Sequence, residues 1–363
     1  MKKNKALTLV LAATLLLGAA GGCGKKNEPE NEAAEVAEIN VQPDTVMNKT
    51  DGLNVVQKEG CILSPLTGEW IDESLDNKRP LCIMINNIID AMPQSGISQA
   101  DLTYEILVEG GITRYLCVFQ DYANGLTKLG PVRSSRHDYV ELANMFDGFY
   151  GHVGWSELAQ NAIESSGCLN LNGLTALSNI MYYRDNTRYA PHNCYTDSDK
   201  IVAGIDYNGY DLNHKDDYTN DMFKFNLSDT ALGSGMTANK VTTSYSSSRQ
   251  PWFEYNDSDK RYYRFQYGDK QIDDQTGEQL SYKNVIVMFV QYTDIGSGLQ
   301  DIDWYKGGDA YYITDGEYEK IKWETKQNKI RYYTEDGEQL KMNPGNTFIS
   351  VFDEAIPDSV TIE

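Results

Sequence analysis

Two runs of strand-forming residues, DLTYEILVE and ITRYLCVFQ, are separated only by Gly110-Gly111. A short glycine link between alternating apolar segments signals a hairpin, because glycine tolerates the positive φ that a tight reversal needs. Similar runs recur: RPLCIMIN at 79–86, NVIVMFVQY at 284–292, AYYITD at 310–315, KIKWET at 320–325 and KIRYYTED at 329–336. Helical periodicity is confined to short pieces between 98 and about 205. SQAD at 98–101 reads as the capping box of a single turn. Ser135 is placed to cap a helix to about Phe146, with Asp138 closing its capping box and Tyr139, Leu142, Ala143 and Phe146 on one face. Ser156 begins another that ends near Gly167, and a third follows Asp197 or Ser198. The pattern predicts an α+β or α/β fold: a mixed α/β domain at 61–205, a polar connector at 206–235, and a smaller β-rich C-terminal domain at 236–363.

The first sixty residues have another texture. MKKNK leads into the apolar run ALTLVLAATLLLGAA and then GGC. The run is short for a spanning helix and carries positive charge only before it, which is the form of a signal peptide. Ala20-Gly21-Gly22-Cys23 reads as a lipobox, although Ala20 stands where leucine is usual. The expectation is a signal peptide over 1–22, a diacylglycerol on Cys23, and a disordered tether over 23–60 rich in Glu, Asn and Lys. The folded part then sits at the extracytoplasmic face of the cell membrane, anchored through its lipid. A net charge of −21 excludes nucleic acid as a partner without a separate basic surface. The partners left are the membrane, through that lipid, and a cell-wall fragment or an envelope protein.

Against that acidic background the cations of the first half stand out. Between 79 and 199 the chain has six arginines and one lysine, Lys128. Arginine suits partly buried pairing with carboxylate or phosphate, because its fork is planar and permanently charged. Three clusters follow. Arg133, Ser134 and Arg136 lie with His137 in GPVRSSRHD, at the start of a predicted helix. Cations are mildly unfavourable there, so either an external anion or an internal carboxylate must offset them. Arg184, Asp185, Arg188, His192 and Asn193 crowd the loop RDNTRYAPHN, where Asp185 can orient His192 as a general base or simply pair with an arginine. On the hairpin, a two-residue turn puts Glu105, Glu109 and Arg114 on one face, as a paired network or as two carboxylates for glycoside chemistry.

No Walker loop, Rossmann glycine set, HExxH or GxSxG occurs. The four histidines, His137, His152, His192 and His214, are scattered, so no metal site and no cofactor are predicted. Beyond Cys23 there are five cysteines; Cys82 and Cys117 read as buried thiols, and Cys168 and Cys194 are candidates to pair. Tyrosines of the second half can form a sugar-stacking face with Trp252, Trp304 or Trp323, or be ordinary strand residues.

The strings SPLTG, RPLCIMINN, AMPQSGISQADLTYEILVEGGITRYLCVF, GPVRSSR, GHVG, RDNTRYAPHN, WYKGGDAYYITDG and LKMNPGNTFISV occur in order over about 61–352. With them the chain resembles the YerB-like lipoproteins of Gram-positive bacteria. That resemblance implies an N-terminal α/β domain, a β-rich C-terminal domain and a lipid tether. It implies no reaction and assigns no residue a role. Two functions remain from the residues. One is a binding protein with an arginine-lined cleft. The other is a glycan-processing enzyme using Glu105 or Glu109 with Asp185 and His192.

Overall fold

The computed structural model describes residues 58–363, so the expected signal peptide, Cys23 and most of the expected tether lie outside the described residues. The apolar runs form ten strands of one mixed sheet. From the first half come β1 (Leu81–Asn86), β2 (Leu102–Leu107), β3 (Thr113–Phe119), β4 (Phe149–His152) and β5 (Leu169–Asn172). From the second come β6 (Asn284–Val290), β7 (Gly308–Thr314), β8 (Glu317–Lys326), β9 (Lys329–Thr334) and β10 (Thr347–Asp353). Across the sheet the order is β9-β8-β7-β6-β10-β2-β3-β1-β4-β5. The two halves meet where β10 runs parallel to β2, from Thr347 beside Leu102 to Val351 beside Ile106. Gln57–Glu363 therefore fold as one compact unit, strand-rich rather than evenly α/β.

Period-two alternation buries both faces of this sheet. One face, with Met84, Tyr104, Leu116, Ile286 and Val351, packs against α1 (His137–Met145) and α2 (Glu157–Ser166). The other, with Ile83, Tyr115, Val287 and Phe348, packs against α4 (Ser198–Asn208), the single turn α3 (Leu177–Ile180) and a second, antiparallel sheet contributing Val241, Phe253 and Tyr262. The polar connector takes part as well: Met222 and Phe223 are buried in the first core.

Two helices match the sequence at their ends. Ser156 accepts from the Ala159 N–H at 3.2 Å, and Gly167 closes α2 with φ +70°. Asp197 accepts from the Lys200 N–H at 2.9 Å. The start of α1 differs. Arg136 is its N-cap and offers no side-chain cap. Ser135 is extended one residue earlier, where its hydroxyl accepts from Tyr150 at 2.7 Å, and Asp138 instead accepts from the Ile302 N–H at 2.9 Å. The single turn near SQAD spans Ile97–Gln99, and the Ser98 N–H donates to Asp273 at 2.8 Å rather than opening a helix.

The hairpin also differs, with consequences for the site. Its link has three residues, Glu109–Gly111, closed by the Val108 N–H donating to the Ile112 carbonyl at 2.8 Å. Ile106 thus faces Arg114, and Glu105 faces Tyr115. One extra loop residue shifts the register by one and sends Glu105 and Arg114 to opposite faces. The five described cysteines are free thiols, so Cys168 and Cys194 do not pair. Trp304 and Trp323 are buried, which removes them from any sugar-stacking face. Among the described residues no helix is long and apolar enough to cross a membrane.

Candidate functional site

The segment 130–136 crosses the carboxyl end of β1. The Asn86 N–H donates to the Pro131 carbonyl at 2.9 Å, and the Arg133 N–H donates to Met84 at 3.0 Å. On its other side the Val132 N–H donates to Cys194 at 2.7 Å, and Arg133 and Ser135 pair with Val153 and Gly154 beyond β4. Gly130 must be glycine here: with φ +148°, a Cβ would lie 2.8 Å from the Cys194 carbonyl. These bonds fix Arg133, Ser134 and Arg136 between the end of β1, the loop after β4 and the 184–195 loop. Sites in open sheets with parallel strands favour such carboxyl ends.

Five guanidinium groups gather there. Arg136 donates through Nε to Glu109 Oε2 at 2.9 Å, through Nη2 to Oε1, and through Nη1 to the Ser135 carbonyl at 2.6 Å. Arg114 reaches the same carboxylate at 3.3 Å and donates to the Ser134 carbonyl at 2.7 Å. Burial, then the neighbouring Arg136 charge, pushes the Arg114 guanidinium down to about 10. Burial favours a neutral Glu109, but the Arg136 bond and both arginine charges outweigh it and hold that carboxyl below its usual range. Arg133 is half-buried, and its side chain forms no ion pair or hydrogen bond among the described residues. Burial, then the charge of Arg136 and more weakly that of Arg184, hold it below the ordinary arginine range against the nearby Glu109.

The 184–193 loop closes the other side. Arg184 is exposed and donates to the Asn193 carbonyl oxygen of the side chain at 3.0 Å. Arg188 spends its fork on neutral acceptors: the Ala91 carbonyl at 3.1 Å, the Tyr195 hydroxyl at 2.6 Å, and the Met92 carbonyl. His192 Nδ1 lies 2.7 Å from the Asn86 side-chain amide nitrogen. Burial, then the charges of Arg133 and Arg188, lower its pKa against the nearby Asp90. A recess of about 410 Å³ is lined by Asp90, Thr187, Arg188, Tyr189 and His192. Of its lining residues Tyr189 is 90% exposed and offers an open aromatic face.

Two predicted members fall elsewhere. Asp185 does not orient His192. It bonds Lys128 Nζ at 3.0 Å and Thr187 at 2.6 and 2.9 Å, which hold its carboxyl well below the usual range. Glu105 lies on the opposite face of the sheet at 0% exposure. There it accepts from Asn87 at 3.0 Å, Thr113 at 2.6 Å, Arg249 at 3.2 Å, and Arg264. The Arg264 guanidinium also stacks 4.3 Å from the centre of the Phe348 ring. A carboxylate so enclosed can neither protonate a leaving group nor touch a substrate, and Glu109 is committed as an arginine partner. Glu105 and Glu109 therefore do not flank an open space.

Asn86 and Asp90 were not singled out from the sequence. The signal for Asn86 is the polar pair Asn86-Asn87 at the end of the buried run LCIMIN, and Asp90 carries no comparable signal. His137 also leaves the cluster: its Nε2 bonds Asp301 at 2.9 Å. Among the described residues, His137, Asp138 and Asp301 are the set with metal-ligating atoms mutually within 4.8 Å. Burial pushes the Asp138 carboxyl up to about 7 against the nearby His137 and the Ile302 N–H. The separation of 164 residues between His137 and Asp301 hides this set from sequence spacing.

Models of a protein family of unknown function, DUF3048, match both halves: its N-terminal domain at residues 66–211 and its C-terminal domain at 241–349. The chain belongs to this family. It is 32% identical over 299 residues to YerB of Bacillus subtilis (strain 168), provisionally named a lipoprotein, covering 81% of this chain and 86% of that protein. A crystal structure of YerB from Bacillus subtilis superposes with a TM-score of 0.74 at 29% identity, covering 83% of this chain and 99% of that one. The two family domains share the ten-stranded sheet described above. The arginines of the recess all lie in the N-terminal domain, whereas Arg249 and Arg264, which hold Glu105, come from the C-terminal one.

Proposed function

We propose that this chain is a lipid-anchored extracytoplasmic protein that holds an anionic cell-wall fragment in the arginine-lined recess. The anchor rests on the lipobox at Cys23 and on the name given to YerB. One observation carries the binding reading: the Arg133 side chain is half-buried, carries a full charge at neutral pH and forms no ion pair among the described residues, because the nearby carboxylate of Glu109 is already bonded by Arg114 and Arg136. A buried guanidinium without a counter-ion costs stability, and a chain with net charge −21 has many acids with which to neutralise it. Leaving it open is understandable if a ligand supplies the anion. The recess volume suits a ligand moiety rather than a flat protein contact, and its tyrosine rim suits a sugar ring.

Co-sedimentation of the full chain in detergent with purified cell walls tests the reading. At low ionic strength the native protein should sediment, and the Arg133→Ala/Arg184→Ala variant should stay in the supernatant. Equal sedimentation of both, or of neither, would refute it. For the anchor, Cys23→Ala should move the protein from the membrane fraction to the medium; unchanged membrane retention would argue against lipidation.

A further inference from the structure

His192 occupies a particular position in the recess. Its Nδ1 is held by Asn86, whereas Nε2 has no partner among the described residues and belongs to the ring that lines the recess. With the amide nitrogen of Asn86 donating to Nδ1, the neutral ring carries its proton on Nε2. That N–H is free to meet an acceptor. Asn86 can also serve the protonated ring. Its side chain offers an NH2 on one side and a carbonyl on the other, so turning the amide over presents an acceptor to Nδ1–H. No other hydrogen bond to the Asn86 side chain opposes that rotation; the Gln94 amide bonds its main-chain carbonyl, at 3.1 Å.

We propose that His192 donates from Nε2 to a bound oxyanion, and that binding draws one proton from solvent onto Nδ1 as the Asn86 amide turns to accept it. The inference rests on the anion-binding reading above and adds a contact and a proton linkage to it. The charged groups facing the ring come from three segments: Arg133 from the 130–136 stretch, Arg188 from its own loop, and Asp90 from the segment after β1. Tyr189 completes the wall as a phenol. In the empty site the two arginines oppose a third positive charge. A dianion between them cancels that repulsion and adds attraction, so the ring becomes more basic when the site is filled. Linkage then requires the converse, that a protonated ring binds the anion more tightly. No bond other than the N–H is made or broken.

Sulfate is the suitable probe, because its charge is constant from pH 5 to 8. The full chain in detergent is titrated with sulfate while the His192 ring is followed by NMR, its signals assigned by their loss in His192→Gln. Three results are expected. The empty-site midpoint lies below that of free histidine, and Arg133→Met raises it without any ligand. Saturating sulfate raises it by about one unit, so sulfate affinity falls about tenfold from pH 5 to 8. His192→Gln loses the pH dependence, so that its sulfate affinity, whatever its level, no longer changes between pH 5 and 8. A midpoint indifferent to both sulfate and Arg133→Met, or an unchanged pH slope in His192→Gln, would overturn the linkage while leaving anion binding standing. Absence of sulfate binding by the native protein would remove the anion reading and this inference together.

Discussion

The molecule holds its arginines in two contrasting ways. On one face of the large sheet, Arg249 and Arg264 close on Glu105, and Asn87 and Thr113 complete the carboxylate's shell. On the other face, Arg114 and Arg136 share Glu109, and the Arg133 side chain forms no ion pair or hydrogen bond among the described residues. The first arrangement fastens the two family domains; its acid comes from β2 and its bases from the second half. The second arrangement is electrostatically incomplete within the described chain. Arginine alone therefore does not mark a binding site in this fold. The informative quantity is the mismatch between forks and internal acceptors.

The clasp gives the largest expected effect. Glu105→Gln keeps the shape but leaves two buried guanidinium groups without a counter-charge. Breaking a buried pair on one side typically costs about 3–5 kcal/mol. Urea denaturation of the full chain should show that loss, while wall or sulfate binding by the protein that remains folded stays unchanged. An unaltered midpoint would mean that the clasp is not a fastening. Altered anion affinity at full folding would mean that the two arginine groups are not independent.

This contrast also explains what was legible in the sequence. The strands and two of the three longer helix starts follow from local signals, alternation and caps, whereas no local signal fixes that 130–136 and 184–193 lie side by side. The partners of Glu105 do not, because Arg249 and Arg264 lie 144 and 159 residues away and no spacing rule connects them. The error at Glu105 is smaller in origin and larger in effect. The glycine pair promised a two-residue turn, the chain uses three residues, and one step of register moves a carboxylate from the arginine recess to the domain joint. Of the two readings of Asp185 the ion-paired one holds, through Lys128, and the orienting one fails because proximity in sequence to His192 does not set which way a loop side chain turns.

Glu109 provides an intermediate effect and a sharper division between the faces. It is the carboxylate shared by Arg114 and Arg136, and it is partly exposed. Glu109→Gln should lower stability by only about 1 kcal/mol, in the range of solvent-accessible pairs. It should also tighten sulfate binding several-fold, because two forks lose their internal acid. The depressed carboxyl sets the pH direction. Its stabilisation is fully present above the ordinary glutamate value of about 4.3 and is lost as pH falls through its lower folded value. The stability difference between native protein and variant should therefore shrink toward acid pH. A constant difference down to pH 3 would show that these arginines do not depend on Glu109.

The smallest expected effect is also the most discriminating. Arg133→Leu removes a charge that has no internal partner and relieves its repulsion with Arg136 and Arg184. The apolar stem of the native side chain is largely replaced, so packing changes little. Unfolding free energy should stay within about 0.5 kcal/mol of the native value, or rise slightly. A structural arginine would behave oppositely, as those of the clasp are expected to. If Arg133→Leu costs as much stability as Glu105→Gln, the guanidinium has an internal role that its geometry does not disclose, and the distinction between a closed and an open arginine group fails. If stability holds while wall binding is lost, the charge is retained for something outside the chain, because it contributes nothing to the fold that carries it.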